Sequence, residues 1–455
     1  MWADETALRD LLMGDAGVFE QVMGFGTGTT VIKGVHVMND LAQCVLGGAP
    51  SHGGDLLCGV IREDKAEHGE DNSDARLRAD LRFGEAYQRA FPADLPPGEI
   101  TRLRTAAAAL LSFDGGMYRA GTRMASGLAT HRDLLGFEGF RRFGVGHYLE
   151  QVLGETGRER LRTLFESPTD PLTRALAPLL LEAPLRDTQP GRGPTSELSP
   201  FDRSLGGALN TLLSQPLTKP ALLRLFLLAA SLGICLKLLG AGLPDGRPIA
   251  LATCADDVGP GRLLRQEAVQ AFNRGLVRLD ARIAGALAER AGWSAMLLAK
   301  KPRSARGFDT DGAPAAVVAA ARVHSFSDRV YWPDTFAIAL GRKAGCVLPK
   351  RDQAGWGKHL VLTGDLIEAL VLMFVPPGEP PEAWPLLWER VREELGLVIG
   401  ANDYEDPQLL RASGVLQVNA EDLAKNSDNV LAAAIRRGVA RRLPDSGAEA
   451  GGTIQ

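Results

Sequence analysis

The chain has 455 residues, of which 45% are hydrophobic and 23% charged, and a formal net charge of −4. That length accommodates roughly two to four domains, each able to bury a core of its own. The near-neutral balance excludes a whole-molecule field that would draw nucleic acid or an anionic membrane, although local patches remain open.

The five cysteines, Cys44, Cys58, Cys235, Cys254 and Cys346, are odd in number and none is spaced as Cys-x-x-Cys. This argues against a zinc ribbon or redox pair and for reduced thiols in a cytoplasmic protein. The first fifteen residues carry early acidic groups and no apolar run, unlike a secretory leader.

Residues 1–183 read as a mixed α/β region, mostly helical. The loop Gly24-Phe25-Gly26-Thr27-Gly28-Thr29-Thr30 has the backbone freedom to cradle a phosphate. It lacks the Gly-Lys-Ser/Thr ending of a nucleotide loop, so a glycine-rich turn is the plainer reading. Val31, Ile32, Val35 and Val37 suggest a short strand, and Leu56–Ile61 another. Asp55 with Glu63-Asp64-Lys65 has the composition of a magnesium nuclease site, in which two carboxylates hold the ion and the lysine assists water. Only seven residues separate Asp55 from Glu63, and the run around them is charge-rich, as in a solvated loop. Ile100–Ser112 and Phe140–Phe165 read as helices. The histidines, including His36, His52, His131, His324 and His359, fall into no zinc spacing.

Residues 184–200 hold four prolines and two glycines and read as a linker or long loop. A helical central domain is expected over 201–299. Within it, Ala221–Leu239 is apolar and almost long enough to cross a membrane, but Arg224 and Lys237 interrupt it. A buried core helix starting at Pro220 is the better fit, and no membrane contact is expected. Pro248–Ala252 reads as a strand or buried connector. From Arg262 to Gly292, Val269, Phe272, Leu276, Leu279, Ile283 and Leu287 form one apolar stripe at helical spacing. Two such helices should pack as an all-α layer.

A second breaker-rich loop, Lys300–Pro314, leads to a C-terminal module over 315–455. Thr363 is placed to cap a helix with Asp365 in its first turn. A second helix carries Trp384, Leu387, Trp388, Val391 and Leu395, and Leu397–Ile399 is strand-like. A last helix opens at Asn419 with Asp422 in a capping-box relation and closes at Gly438. Val439–Leu443, a turn at Pro444–Gly447 and Gly452–Ile454 suggest a hairpin. Helices followed by a hairpin point to a winged-helix-like module. Arg436, Arg437, Arg441 and Arg442 crowd that end and are its candidate nucleic-acid contacts, while Trp384 and Trp388 are its candidate partner-binding residues. Residues 345–455 hold eleven Lys/Arg against sixteen Asp/Glu, which favours protein contact over DNA.

Two stretches, Phe201-Asp202-Arg203-Ser204-Leu205-Gly206 and Leu360-Val361-Leu362-Thr363-Gly364-Asp365-Leu366-Ile367-Glu368-Ala369-Leu370, resemble uncharacterised accessory proteins of bacterial anti-phage defence islands. Those proteins are encoded beside large ATPases or helicases. The resemblance implies a non-enzymatic subunit of a DNA-targeting defence complex, with an ATPase or helicase as protein partner, and it transfers no catalytic residue.

The sequence therefore reads as a mainly α, multidomain, cytoplasmic bacterial protein. It has a helical central domain, a C-terminal winged-helix-like module and a mixed α/β N-terminal region. An adaptor or scaffold subunit without cofactor or metal is the first expectation. A metal-dependent nuclease or nucleotide-binding enzyme using residues 24–65 is the alternative, and a winged-helix DNA-binding regulator is a further one.

Overall fold

The computed structural model of the chain describes residues 11–12, 17–26, 34–46, 48–50, 144–166, 185–187, 197–255, 261–291, 332–349, 357–415, 417–444 and 447–451. These residues are mostly helical, with nine short strands among them.

Near the N-terminus lie α1 (Val18–Met23) and α2 (Gly34–Leu46), followed by β1 (Gly48–Pro50) and α3 (Val145–Glu166). The strand expected through Val35 and Val37 is instead the start of α2. Val37, Met38, Leu41, Ala42 and Val45 are buried at three- and four-residue spacing, so the helical period prevails over β-branching. β2 (Leu185–Asp187) falls within the loop read at 184–200 and pairs antiparallel with β1.

Next come α4 (Pro200–Leu213) and α5 (Lys219–Gly240). Ser199 caps α4 through a reciprocal box with Asp202, and Pro200 sits at the helix start, where its missing N–H costs nothing. Within α5, 83% of the stretch apolar enough to cross a membrane is buried by other elements of the protein. The two charges that interrupt it are both ion-paired: Arg224 with Asp365 at 3.5 Å and Lys237 with Asp202 at 2.7 Å.

After α5, β3 (Ala250–Cys254) leads to α6 (Arg262–Ala291). As its apolar stripe predicts, α6 buries Phe272, Leu279, Ile283 and Leu287. The remaining elements are α7 (Pro333–Ala344), β4 (Val347–Leu348), β5 (His359–Leu362), α8 (Gly364–Phe374), β6 (Glu382–Ala383) and α9 (Trp384–Leu395). They are followed by β7 (Leu397–Val398), α10 (Glu405–Ala412), α11 (Ala420–Arg436), β8 (Ala440–Arg442) and β9 (Ala448–Ala450). Thr363 caps α8 by accepting the Leu366 N–H. Asn419 caps α11 through the Glu421 N–H, so the capping-box partner expected at Asp422 is not the one used.

The two long central helices do not form an all-α layer. A four-stranded sheet of order β4-β5-β3-β7 runs beside them, with β3 parallel to both β5 and β7 and β4 antiparallel to β5. All five residues of β3 are buried, as befits a central parallel strand covered on both faces. α6 packs along β3 and β5, α11 packs on β3, and α8 packs on β5. A second sheet of order β6-β9-β8 is wholly antiparallel, and its hairpin closes before the tail at Gly452–Ile454, which lies outside the described residues. One apolar core is continuous from Leu12 to Ala450. A smaller one joins Leu251, Leu264, Ala268, Val398, Leu410 and Leu423.

Candidate functional site

The strand order points to one end of the parallel sheet. The chain passes from β3 to the β4–β5 pair on one side, then crosses to β7 on the other. Between β3 and β7 the connections diverge, and in open α/β sheets ligands bind at such a crevice, beyond the carboxyl ends of the strands. Among the described residues, a side chain of α11 bridges the strands there. The Asn426 side chain, buried on α11, donates to the carbonyls of Ala252 and Ile399, both at 2.9 Å. Its Oδ1 accepts the Cys254 N–H at 3.0 Å. A carboxamide offers two donors and an acceptor, so one side chain stands in for the neighbouring strand where β7 ends.

Glu267, in the second turn of α6, is 1% exposed. Its Oε1 accepts the Asn419 N–H at 3.0 Å, which ties α6 to the start of α11. Its Oε2 is buried without a hydrogen-bond partner among the described residues. Burial, reinforced by the nearby Asp422 carboxylate, pushes Glu267 up to about 7, against the Asn419 N–H and Arg411, which act to lower it. At the carboxyl end of β5, Asp365 lies between Arg224 and Arg437, the latter at 2.8 Å. Glu368, one turn on, is raised by burial in spite of both arginines. His359 is buried on β5, where burial lowers its pKa and its Nδ1–H donates to the Gly357 carbonyl at 3.2 Å. Glu267 and Asp365 tie elements together by a hydrogen bond and ion pairs.

The candidate residues of the C-terminal module are dispersed. Trp384 and Trp388 are core residues, packed edge to face at 5.6 Å between centroids, and neither presents its ring to solvent. The helical spacing that drew attention to them reflects core packing. Arg437 is ion-paired with Asp365, and Arg441 with Glu449 across the hairpin at 2.5 Å. Arg436 and Arg442 are exposed. In the N-terminal region, Gly24 is the left-handed C-cap of α1, and its N–H donates to the Glu20 carbonyl. The glycine run thus opens by ending a helix, where a phosphate loop would follow a strand. Thr27–Thr30, Asp55, Glu63, Lys65, the Leu56–Ile61 strand, the Ile100–Ser112 helix, His131, His324 and the Lys300–Pro314 loop lie outside the described residues.

Two clusters escape a reading along the chain. In the first, Asp202 accepts from Tyr148 Oη and Lys237 Nζ, both at 2.7 Å, and from Ser199. Burial acts to raise the Asp202 carboxyl, but the charge and hydrogen bond of Lys237, with the Tyr148 and Ser199 donors, outweigh it and leave it below the usual range. Burial, with Asp202 beside it, drives the Tyr148 phenol well above its ordinary value. The available signal was a lysine inside an apolar run, which demands a buried partner. In the second, Cys44 of α2 meets His147 and Glu150 of α3, with their ligating atoms all within 4.8 Å of one another. No sequence spacing announces a meeting of residues a hundred positions apart.

No family model, curated protein or solved structure significantly matches this chain.

Proposed function

We propose that the protein is a non-enzymatic adaptor or scaffold subunit of a multiprotein assembly, which it engages through a winged-helix-like C-terminal module. The observation that carries this reading is the order β6-β9-β8. A strand placed between the first two helices, α8 and α9, joins the far strand of a hairpin that follows the third helix, α11. Helix, strand, helix, helix and hairpin, with the last strand central, is the connectivity of a winged helix, here with β7 and α10 inserted.

The charge on the module favours protein over nucleic acid as its partner. The outer face of α11 carries Glu421, Lys425, Asp428 and Arg436, a mixture of signs. Arg437 and Arg441 are neutralised by acids of the same chain, so the basic footprint that phosphate binding requires is diluted. The resemblance of Phe201–Gly206 and Leu360–Leu370 to accessory defence proteins makes an ATPase or helicase the partner to look for.

The test is affinity capture of the tagged chain from its native host, with and without nuclease. A stoichiometric protein partner that survives nuclease and is lost on Asp428→Arg supports the proposal. Capture of no partner, or of DNA alone with salt-sensitive affinity that falls on Arg442→Glu, overturns it.

A further inference from the structure

Cys44, His147 and Glu150 are brought together by a close contact between α2 and α3. The Gly146 N–H donates to Asp40 Oδ2 at 2.6 Å, and a Cβ on Gly146 would lie 2.3 Å from the Asp40 backbone. Only glycine allows so close an approach. Cys44 lies one turn beyond Asp40 on α2, and Glu150 one turn beyond Gly146 on α3. The contact therefore sets a thiol, an imidazole and a carboxylate against one another, and all three side chains are partly buried.

We infer that this cluster is a binding site for a borderline-soft divalent metal ion, zinc above all. Cys44 Sγ, His147 Nδ1 and Glu150 Oε2 would be its protein ligands, with a fourth position left for water or an exogenous group. At zinc bond lengths of about 2.0–2.3 Å a tetrahedral ion sets its donors about 3.3–3.6 Å apart. His147 Nδ1 and Glu150 Oε2 are already 3.0 Å apart, and all three ligating atoms fall within 4.8 Å. With the thiol no more than 4.8 Å from the other two ligating atoms, a side-chain movement on the order of 1 Å at most closes the set to that spacing.

The groups behind the three ligands fit the same role. A metal-bound imidazole generally donates its second N–H to an oxygen acceptor. The other ring nitrogen, Nε2, lies 3.3 Å from the Gln151 carboxamide, which presents an acceptor once its amide is turned. The second Glu150 oxygen, Oε1, is 3.6 Å from Arg158 Nη1, so the arginine orients the carboxylate while Oε2 faces the site. The donor set of one thiolate, one imidazole and one carboxylate suits zinc or cobalt and disfavours magnesium or calcium, which take oxygen ligands.

The test titrates the metal-free full chain with Co2+ and then Zn2+, with circular dichroism monitoring the fold. One ion per chain is expected, with a thiolate-to-cobalt charge-transfer band that Zn2+ displaces. Cys44→Ser should abolish the band. His147→Ala and Glu150→Gln should weaken binding by at least about tenfold, and Gln151→Ala by about tenfold. Cys346→Ser, at a thiol buried elsewhere in the core, should leave binding unchanged. Glu150→Gln preserves size and shape, so it reads out binding even if Cys44→Ser perturbs the core. Absence of stoichiometric binding, a band that survives Cys44→Ser, or full affinity in Glu150→Gln overturns the inference.

Discussion

The two long central helices treat buried charge in opposite ways. α5 is apolar almost throughout, and both charges inside its apolar run have an acidic partner: Arg224 meets Asp365, and Lys237 meets Asp202. α6 is amphipathic, with arginines on its outer face, yet it buries Glu267 with one carboxylate oxygen unpartnered among the described residues. A charge taken out of water retains its ionised form only where opposite charge and hydrogen bonds replace the lost solvation. Asp202 has that replacement and is held acidic. Glu267 lacks it and is pushed to about 7. Hydropathy alone ranks α5 as the riskier helix for buried charge, but the unstable electrostatics belong to α6.

Breaking the Lys237–Asp202 pair should have the largest effect. Lys237→Ala leaves Asp202, 3% exposed, without its cation, and should destabilise the protein by about 3–5 kcal/mol in chemical denaturation at neutral pH. The native carboxyl of Asp202 lies below its unfolded value, so its contribution is present above the unfolded carboxylate pKa. It is lost as pH falls through the native value. In Lys237→Ala the acid limb of the stability profile should accordingly flatten.

Glu267→Gln sharpens the contrast from the other side. The native Glu267 pKa, about 7, lies above the unfolded value of 4.5. Its favourable contribution is therefore complete below the unfolded pKa and is lost as pH rises through about 7. The glutamine keeps an acceptor for the Asn419 N–H and carries no charge. It should gain up to about 3 kcal/mol over the wild type at pH 8.5 and little at pH 5, as read from denaturation midpoints. Equal effects at both pH values would show that Glu267 is ionised without penalty in the fold.

Arg224→Ala should give the smallest change. Both members of the Arg224–Asp365 pair are about one third exposed, and Asp365 keeps Arg437. A loss of at most about 1 kcal/mol that shrinks further at high salt is expected. A loss as large as that of Lys237→Ala would mean that exposure does not separate the two pairs.

Much of the helical framework was legible along the chain. Thr363 with Asp365, Asn419 and the stripe from Phe272 to Leu287 each combine a cap or an apolar period within a few residues. The site was far less legible. Trp384 and Trp388 carry the same periodic signature whether they face a partner or the core, and only packing places them inside. The parallel sheet was hidden because β3, β5 and β7 are two to five residues long and lie more than thirty positions apart. Nothing in the sequence near Asn426 marks it as the side chain that completes the edge of β3.

Local spacing, capping side chains and helix-breaking residues determined by themselves where most helices begin, end and turn their apolar faces, because helical hydrogen bonds close over four residues. Tertiary structure alone decided which strands pair, that Asn426 bridges β3 and the end of β7, that Glu267 is buried beside Asp422, and that Cys44 meets His147 and Glu150. Each of these depends on chain segments closing over tens to hundreds of residues. There the outcome is set by the packing of the whole core, and no short window of sequence contains it.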